Sequence, residues 1–288
     1  MLSRISLGSA QFGLDYGIAN STGKVKKSEL RLIFKKALHC GINTIDTAID
    51  YEDSESNIGD LKPIKFNIVT KLPKVPSNCN NIGDWVKDNV SNSLKKLNVP
   101  SLYGILLHRP LDIKKYKDLY NELNKIKESG AVKKIGISIY SPSELDDLLP
   151  TYQFDLIQTP LNIFDRRIVD SGWLRRLSDL GIEIHTRSCF LQGLLLLKKH
   201  ERPLFFDRWS NIFDKWDSFL LESNNDPVGV CLKYPLSFKS INRVIIGVDG
   251  YKQFNQILHN VDNINELSTP NIKANDFKLI NPSEWVFK

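Results

Sequence analysis

The sequence predicts a closed barrel of parallel strands with a helix after each strand, the (β/α)8 barrel. Two observations predict it. Short β-branched runs alternate with longer amphipathic stretches, which is the pattern of parallel βαβ units. Eight such runs follow one another in a chain of 288 residues, a length that suits one barrel with an insertion. We therefore expect residues 1–288 to form one domain.

Strands are predicted where short apolar runs are bounded by turn-forming or charged residues. The runs are Ile5–Ala10, Ile42–Asp46, Phe66–Lys71, Tyr103–His108, Lys134–Ser138, Leu156–Gln158, Ile182–Arg187 and Val244–Gly247. They are too short for ordinary helices, and several are rich in isoleucine and valine, which favour extended backbone.

Helices are predicted where apolar residues recur at spacings of three and four. The segments are Ser28–Cys40, Asn81–Leu97, Ile113–Lys127, Ser141–Leu149, Ile168–Leu180 and Lys252–Val261. Ser28 is the expected N-cap of the first of these helices, and Gly41 stands just past its end. The interval between the seventh and eighth strands is unusually long, so an insertion on the top face is predicted around residues 198–225.

Composition excludes several classes of protein. The hydrophobic fraction of 41% and the charged fraction of 25% are those of a globular protein. The four cysteines form no CxxC pair and the histidines show no HxxxH spacing, so neither a disulfide framework nor a metal site is predicted. The net charge of +6 comes from scattered lysine pairs, which predicts no nucleic-acid partner. Without a signal peptide or a membrane-length apolar run, we expect a cytoplasmic protein without a membrane partner.

Four residues at predicted strand ends suggest a catalytic site. Asp46, Lys71 and His108 each end a predicted strand, and Tyr51 follows Asp46 within the next loop. Any one of them alone is more often a cap, a solvated charge or a packing group. In a barrel, however, the C-terminal ends of all strands meet at one face, so the four side chains are expected to converge.

The chemistry of carbonyl reduction explains this set. The reaction needs a hydride for the carbon and a proton for the oxygen. Tyr51 keeps its proton at pH 7 and is therefore the candidate donor. Lys71 would stabilise the phenolate and lower its pKa, while Asp46 would hold Lys71 in place. His108 would hydrogen-bond the oxygen of a small-molecule carbonyl substrate.

Several motifs, in this order, resemble those of the aldo-keto reductase family. They are Gly41–Tyr51 with Ser54, Glu55, Ile58 and Gly59, then Val69–Lys71, Leu106–Pro110, Lys133–Ser138, and Ile157 and Gln158 with Asn162. The similarity extends from Ile5 to about Leu258. It implies a catalytic tetrad of Asp46, Tyr51, Lys71 and His108, and a nicotinamide dinucleotide bound across the barrel top. The chain has neither the GxGxxG loop of a Rossmann domain nor a P-loop.

The resemblance also implies which residues hold the cofactor. Ser138 and Gln158 match positions that hold the nicotinamide carboxamide. Arg187, Ser188, Phe190 and Gly193 stand where the family wraps the nicotinamide and pyrophosphate. Gly247, Asp249, Gln253 and Gln256 stand at the adenosine end, near a helix N-terminus suited to phosphate. Gln11, after the first strand, is expected beside the cofactor or the substrate.

Some positions depart from the family pattern. Glu52 stands where glycine is common, Ile139 where an asparagine usually holds the carboxamide, and Arg187 where an aromatic ring often stacks on nicotinamide. Gln253 stands where many NADPH-using members have an arginine, a loss for which Lys252 would compensate. NADPH is the expected cofactor, with NADH as the alternative.

The segment Gly8–Gly17, with Arg187–Gly193, resembles a bacterial branch of the family often associated with surface-sugar pathways. A sugar or nucleotide-sugar carbonyl is therefore the hypothesis for the substrate, and polar Asp50, Glu52 and Arg109 near the site agree with it. Aromatic residues late in the chain would either line a lid or pack in the core: Trp209, Trp216 and Trp285. The sequence does not define the oligomeric state.

Two other functions are compatible with the fold. Lys71 at a barrel strand end would suit a Schiff-base lyase, although pairing with Asp46 would keep its amine protonated. A regulatory protein that binds the cofactor with little turnover is the non-enzymatic alternative.

Overall fold

The strands close into a barrel in chain order. In the computed structural model, which describes residues 1–264 and 267–286, each of eight parallel strands pairs with the next and β8 pairs with β1. The strands are β1 (Ile5–Gly8), β2 (Thr44–Asp46), β3 (Asn67–Leu72), β4 (Leu102–Leu107), β5 (Val132–Ser138), β6 (Leu156–Pro160), β7 (Glu183–Arg187) and β8 (Arg243–Gly247). The predicted (β/α)8 barrel is confirmed.

The helices lie between the strands and after β8. The α-helices are α1 (Ala10–Gly13), α2 (Lys27–His39), α3 (Ser54–Gly59), α4 (Ile82–Leu97), α5 (Asp112–Lys115), α6 (Leu119–Glu128), α7 (Ser143–Leu148), α8 (Arg167–Asp170), α9 (Trp173–Asp179), α10 (Ser210–Ser223), α11 (Pro227–Ser237), α12 (Tyr251–Asp262) and α13 (Phe277–Ile280). Short 3-10 helices span Leu2–Arg4, Leu194–Leu196, Lys199–Glu201, Leu204–Trp209 and Pro282–Glu284. None of the described helices has the length and apolar character that crossing a membrane requires.

Two predicted helices are each broken into two. The segment predicted as Ile113–Lys127 forms α5 and α6, because the backbone at Tyr116 is extended, with φ −113° and ψ 93°. The segment predicted as Ile168–Leu180 forms α8 and α9, because Gly172 has φ +78°. Apolar spacing continues across both breaks, so the pattern could not show them.

Helix caps and strand ends differ locally from the predictions. The predicted Ser28 cap is wrong, since α2 begins after Lys26 and that residue makes no side-chain cap. The Asn81 side chain does cap α4, accepting from the Asp84 N–H at 3.1 Å. Strand β1 ends at Gly8 rather than Ala10, because the chain turns there into α1.

The inside of the barrel has an apolar layer below the C-terminal strand ends. Val69, Leu106 and Leu156 form a buried cluster separate from the main core. Each stands two residues before a residue of the predicted site, namely Lys71, His108 and Gln158. Because side chains alternate along a strand, each apolar residue points to the same side as the site residue that follows it by two positions. The three apolar residues therefore form the floor beneath the predicted site.

Candidate active site

A cavity of about 670 Å³ lies at the C-terminal ends of the strands. It extends from the loops after β2 and β4 to the first turns of α11 and α12. Most of the predicted site residues line it: Gln11, Asp46, Tyr51, His108, Gln158, Arg187, Ser188, Phe190, Gly193, Gly247, Asp249, Gln253 and Gln256. Lys71 and Ser138 are buried behind this lining. A volume of this size is ordinary for a small-molecule site.

A buried hydrogen-bonded chain forms the wall at the Tyr51 end. The Lys71 Nζ donates to Asp46 Oδ2 at 2.6 Å and to the Thr47 carbonyl at 2.8 Å. The Gln158 amide donates to the other Asp46 oxygen at 2.6 Å, and the Ser138 hydroxyl donates to Gln158 Oε1 at 3.0 Å. Lys71 is 1% exposed. Burial lowers the pKa of Lys71, and the Asp46 carboxylate opposes that change.

Tyr51 stands in front of this wall. The Lys71 Nζ lies 5.3 Å from the centroid of its ring, and the His108 ring meets it edge-on at 6.2 Å between centroids. Burial raises the pKa of Tyr51 well above its usual value and the Asp46 carboxylate raises it further, while the Arg187 guanidinium lowers it. The phenol therefore keeps its proton at neutral pH.

His108 lies beside a carboxylate for which the sequence analysis predicted no catalytic role. Its Nδ1 lies 3.4 Å from Asp50 Oδ2. Burial lowers the pKa of His108, Asp50 raises it, and the cations of Lys71 and Arg187 lower it further. The net direction is downward, so the imidazole is neutral at pH 7 and carries one N–H.

A layer of aromatic and guanidinium groups flanks the tyrosine. The Arg187 guanidinium lies 4.8 Å from the centroid of the Tyr140 ring and donates to the Ile139 carbonyl at 3.0 Å. The Tyr16 hydroxyl accepts from the Gln192 amide at 3.2 Å. Sequence reasoning missed Tyr140, although its place just after β5 follows the same strand-end rule that identified the tetrad.

The loop after β7 curls around the cavity in an uncommon backbone conformation. Ser188, Leu191 and Gln192 have φ values of +63°, +49° and +54°, and Gly193 has +88°. A Cβ on Gly193 would lie only 2.5 Å from the Cβ of Ala19 in the loop after β1. The glycine therefore allows the two loops to touch.

At the far end, two backbone N–H groups around the start of α12 already have partners within the chain. The Tyr251 N–H donates to Glu29 Oε2 at 2.8 Å, and the Asp249 N–H donates to Gln253 Oε1 at 2.7 Å. Both N–H groups thus have side-chain partners, and a phosphate site at this helix N-terminus stays a prediction. Lys252, expected to compensate for the missing arginine, is exposed and does not line the cavity.

The start of α11 contributes a carboxylate to the same end. Asp226 lines the cavity and caps this helix, accepting from the Val228 N–H at 2.9 Å. Its other oxygen accepts from Asn260 at 3.0 Å and from Gln256 at 3.4 Å. Sequence reasoning missed Asp226, although an aspartate directly before a proline is a recognisable helix start.

The insertion and the C-terminal tail meet beside the cavity. The Trp209 indole donates to Asp276 at 2.9 Å, and the buried Trp216 indole donates to the Leu195 carbonyl at 3.1 Å. Both tryptophans, like Trp285, stand outside the cavity lining, which the tail reaches instead through residues 281–283. Among the described residues, no group of three or more histidine, cysteine or acidic side chains is arranged to hold a metal ion.

Comparison with known proteins identifies the family of this chain. The aldo/keto reductase family matches residues 4–279. The NADH-specific methylglyoxal reductase of Escherichia coli (strain K12) is 26% identical over 188 residues, covering 56% of this chain and 56% of that protein. The aldo-keto reductase YhdN of Bacillus subtilis (strain 168) is 28% identical over 219 residues, covering 70% of this chain and 63% of that protein. The chain is thus matched to less than two thirds of the length of either relative.

Solved structures support the fold. The holo form of an aldo-keto reductase from Bacillus halodurans superposes with a TM-score of 0.70 at 20% identity, covering 93% of this chain and 88% of that one. The family match over nearly the whole chain carries more weight than this distant likeness, which concerns the fold alone. The protein belongs to the aldo/keto reductase family of oxidoreductases.

Proposed function

We propose that this protein reduces an aldehyde or ketone to an alcohol with NADPH or NADH, using Tyr51 as proton donor and residues 1–288 as one catalytic domain. The observation that carries the proposal is the Tyr51 phenol at the cavity, backed by the buried Lys71–Asp46 ion pair and flanked by His108. That arrangement provides a proton, a cation behind the donor and a polar group beside it.

The cavity fits a nicotinamide dinucleotide. Its elongated lining can accommodate a long ligand, and Gln158 offers the cavity one further amide N–H and one further lone pair beyond its bonds to Asp46 and Ser138. Those groups would hold a carboxamide. The flat guanidinium of Arg187 would lie against the nicotinamide ring. When bound, the cofactor supplies the hydride.

The residues of the chain donate the proton and stabilise the phenolate that remains. Tyr51 Oη donates its proton to the carbonyl oxygen as the carbon is reduced. The phenolate that remains is stabilised by Arg187 and by the Lys71 ammonium. Asp46 keeps that ammonium protonated against burial. His108 helps to orient the carbonyl group beside Tyr51.

The polar groups of the cavity wall near Tyr51 favour a hydroxylated substrate. Tyr16, Tyr140 and His108 add polar groups to the lining, and Asp50 stands directly behind His108. A sugar or nucleotide-sugar carbonyl remains the proposed substrate. The similarity to a methylglyoxal reductase supports the simpler part of the proposal, a small carbonyl compound.

The Schiff-base alternative finds no support in this geometry. The amine of Lys71 is bonded to Asp46 and to the Thr47 carbonyl, and it does not line the cavity. A nucleophilic amine must be neutral and reachable. No feature of the described residues favours the regulatory alternative.

The test is the Tyr51→Phe variant, with Tyr140→Phe as matched control. The first variant should lower kcat by about a hundredfold or more, because it removes the proton donor. Cofactor affinity, measured by fluorescence titration, should stay within about twofold. The control keeps the ring that contacts Arg187 and loses only a hydroxyl of the lining, so it should change KM more than kcat. Wild-type turnover in Tyr51→Phe would refute the assigned role.

A further inference from the structure

We infer that the cavity selects NADH over NADPH, because two carboxylates line the end that would receive the adenosine ribose and a third caps the helix beside it. The inference rests on the proposed function and concerns the same cavity. Its determinants are Glu29, Asp226 and Asp249, on or beside three different helices.

The orientation of the cofactor follows from the chemistry. The hydride must reach a carbon whose oxygen is beside Tyr51, so the nicotinamide belongs at the Tyr51 end. The rest of the dinucleotide must then extend along the cavity to the first turns of α11 and α12. The adenosine ribose therefore lies among the residues of those turns.

The charges at that end are negative. Asp226 and Asp249 both line the cavity there, together with the neutral Gln253, Gln256 and Asn281. In the described part of the chain, the arginine in the lining is Arg187, which belongs to the Tyr51 end, and no lysine lines the cavity. A 2′-phosphate, which carries about −1.5 to −2 charges at pH 7, would meet two carboxylates and no cation.

The helix start that would ordinarily receive a phosphate is filled. A helix N-terminus binds anions through its free N–H groups and its dipole. Here Glu29 reaches from α2, accepts the Tyr251 N–H, and packs against Gly250 so closely that an added Cβ would lie 2.4 Å from its Oε2. The carboxylate of Glu29 therefore takes the place of an external anion.

The same groups suit an unmodified ribose. Carboxylate oxygens accept hydrogen bonds, and a ribose 2′-hydroxyl donates one, whereas a phosphate ester at neutral pH has little to donate. Asp249 keeps lone pairs for such a bond, because it accepts only the Gln11 amide at Oδ1, at 3.4 Å, and the Gln253 amide at Oδ2, at 3.2 Å. The geometry thus combines repulsion of the phosphate with acceptors for the hydroxyl.

The test measures binding of NADH and NADPH separately by fluorescence titration, without substrate. We expect the wild-type protein to bind NADH about tenfold more tightly or better. Glu29→Gln and Asp249→Asn keep the shape and an acceptor oxygen but remove the charge. Each should tighten NADPH binding by about fivefold and change NADH binding by less than about twofold. Asp112→Asn is the control, since Asp112 accepts a backbone N–H from Val75 at 3.0 Å away from the cavity lining.

Ionic strength separates repulsion from steric exclusion. Raising the salt concentration should narrow the ratio of the two dissociation constants in the wild-type protein, because screening weakens the repulsion. In Glu29→Gln, the ratio of the two dissociation constants should change less with salt concentration than in the wild-type protein. Equal or tighter NADPH binding, or a ratio that neither salt nor the two variants change, would overturn the inference and leave the proposed reductase intact. Failure to bind either nucleotide would overturn both.

Discussion

At the level of single residues, Asp46 is the acceptor on which the site depends. One of its oxygens accepts from Lys71 and the other from Gln158, at 2.6 Å each. Both hydrogen bonds are buried, and losing one partner of a buried ion pair leaves an uncompensated charge. Asp46 therefore links Lys71, behind the proposed proton donor, to the Gln158 amide that is proposed to hold the cofactor.

Asp50 should set the protonation of His108. Its carboxylate raises the pKa of His108 against burial, so Asp50→Asn should lower that pKa further. In the wild-type protein the imidazole should gain its second proton only below the usual value of about 6.5. An NMR pH titration, with the resonance assigned from His108→Gln, measures both midpoints.

The neighbouring Glu52 provides the control for this titration. Its carboxylate pairs with Lys24 at 2.8 Å and not with the imidazole. Glu52→Gln should leave the midpoint of His108 nearly unchanged. A midpoint that rises in Asp50→Asn would show that Asp50 does not act on the ring as the structure indicates.

The convergence of the four tetrad side chains could be predicted, because Asp46, Lys71 and His108 lie at or beside strand ends and Tyr51 lies in the loop after β2. Glu29 could not be predicted as part of the site. It meets Tyr251 across a sequence separation of 222 residues, and such pairings leave no periodic signal. The pKa of Tyr51 also depends on residues that are close in space but distant in sequence. The sequence therefore could not predict that Arg187 lowers this pKa.

At the level of elements, the loops after β1 and β7 form one contact. The Ile18 N–H donates to the Gln192 carbonyl at 3.1 Å. From the loop after β6, the Asn162 amide donates to the Ser188 carbonyl at 3.1 Å. These bonds hold the left-handed residues of the β7 loop in place. The cavity wall at this point is therefore set by contacts between loops rather than by either loop alone.

Gly193→Ala should disrupt that contact. The variant adds both a strained backbone, at φ +88°, and a clash with Ala19. Gly41→Ala is the matched control, since Gly41 has φ +74° and nothing within 4 Å of an added Cβ. The control should lose about 1 kcal/mol in the free energy of unfolding, and Gly193→Ala should lose more. Urea denaturation of both measures the difference, and equal losses would mean that the loops separate without cost.

The observed bounds of strands and helices show which features the sequence patterns predict and which they do not. The strands were recognised because each is a short β-branched run, and their predicted ends lie within two residues of the observed ones. The breaks between α5 and α6 and between α8 and α9 interrupt backbone direction but not apolar spacing. Helix α11 was not predicted, because its residues are almost all buried and show no polar face.

At the level of the whole molecule, the end of the barrel opposite the cavity carries its own polar cluster. Glu183 begins β7, and its carboxylate accepts from the Tyr103 hydroxyl at 2.7 Å and pairs with Lys134 and, at 2.6 Å, with His185. Burial alone would raise the pKa of Glu183, but these partners outweigh it and lower the pKa to about 2.

This cluster should set the acid limit of the fold. The unfolded chain binds a proton at Glu183 near pH 4.5 and the folded chain only near pH 2, so stability falls as pH drops through that window. Above this window, the lowered pKa of Glu183 contributes about 3 kcal/mol to the free energy of unfolding. Denaturation across this pH range should show a smaller loss in Glu183→Gln than in wild type. Glu122→Gln, which removes a surface ion pair with Lys125, should behave like wild type. An unchanged pH slope in Glu183→Gln would refute the assignment.

The burial of Lys71 also has a consequence for covalent chemistry. Amine-reactive reagents attack neutral, accessible amines, and this one is bonded to a carboxylate behind the cavity wall. Exhaustive acetylation of the folded protein, followed by peptide mass spectrometry, should leave Lys71 unmodified while exposed Lys252 is labelled. Early labelling of Lys71 would show that the wall opens in solution. The barrel thus shields the Lys71 ammonium from the non-enzymatic acylation to which surface lysines are open.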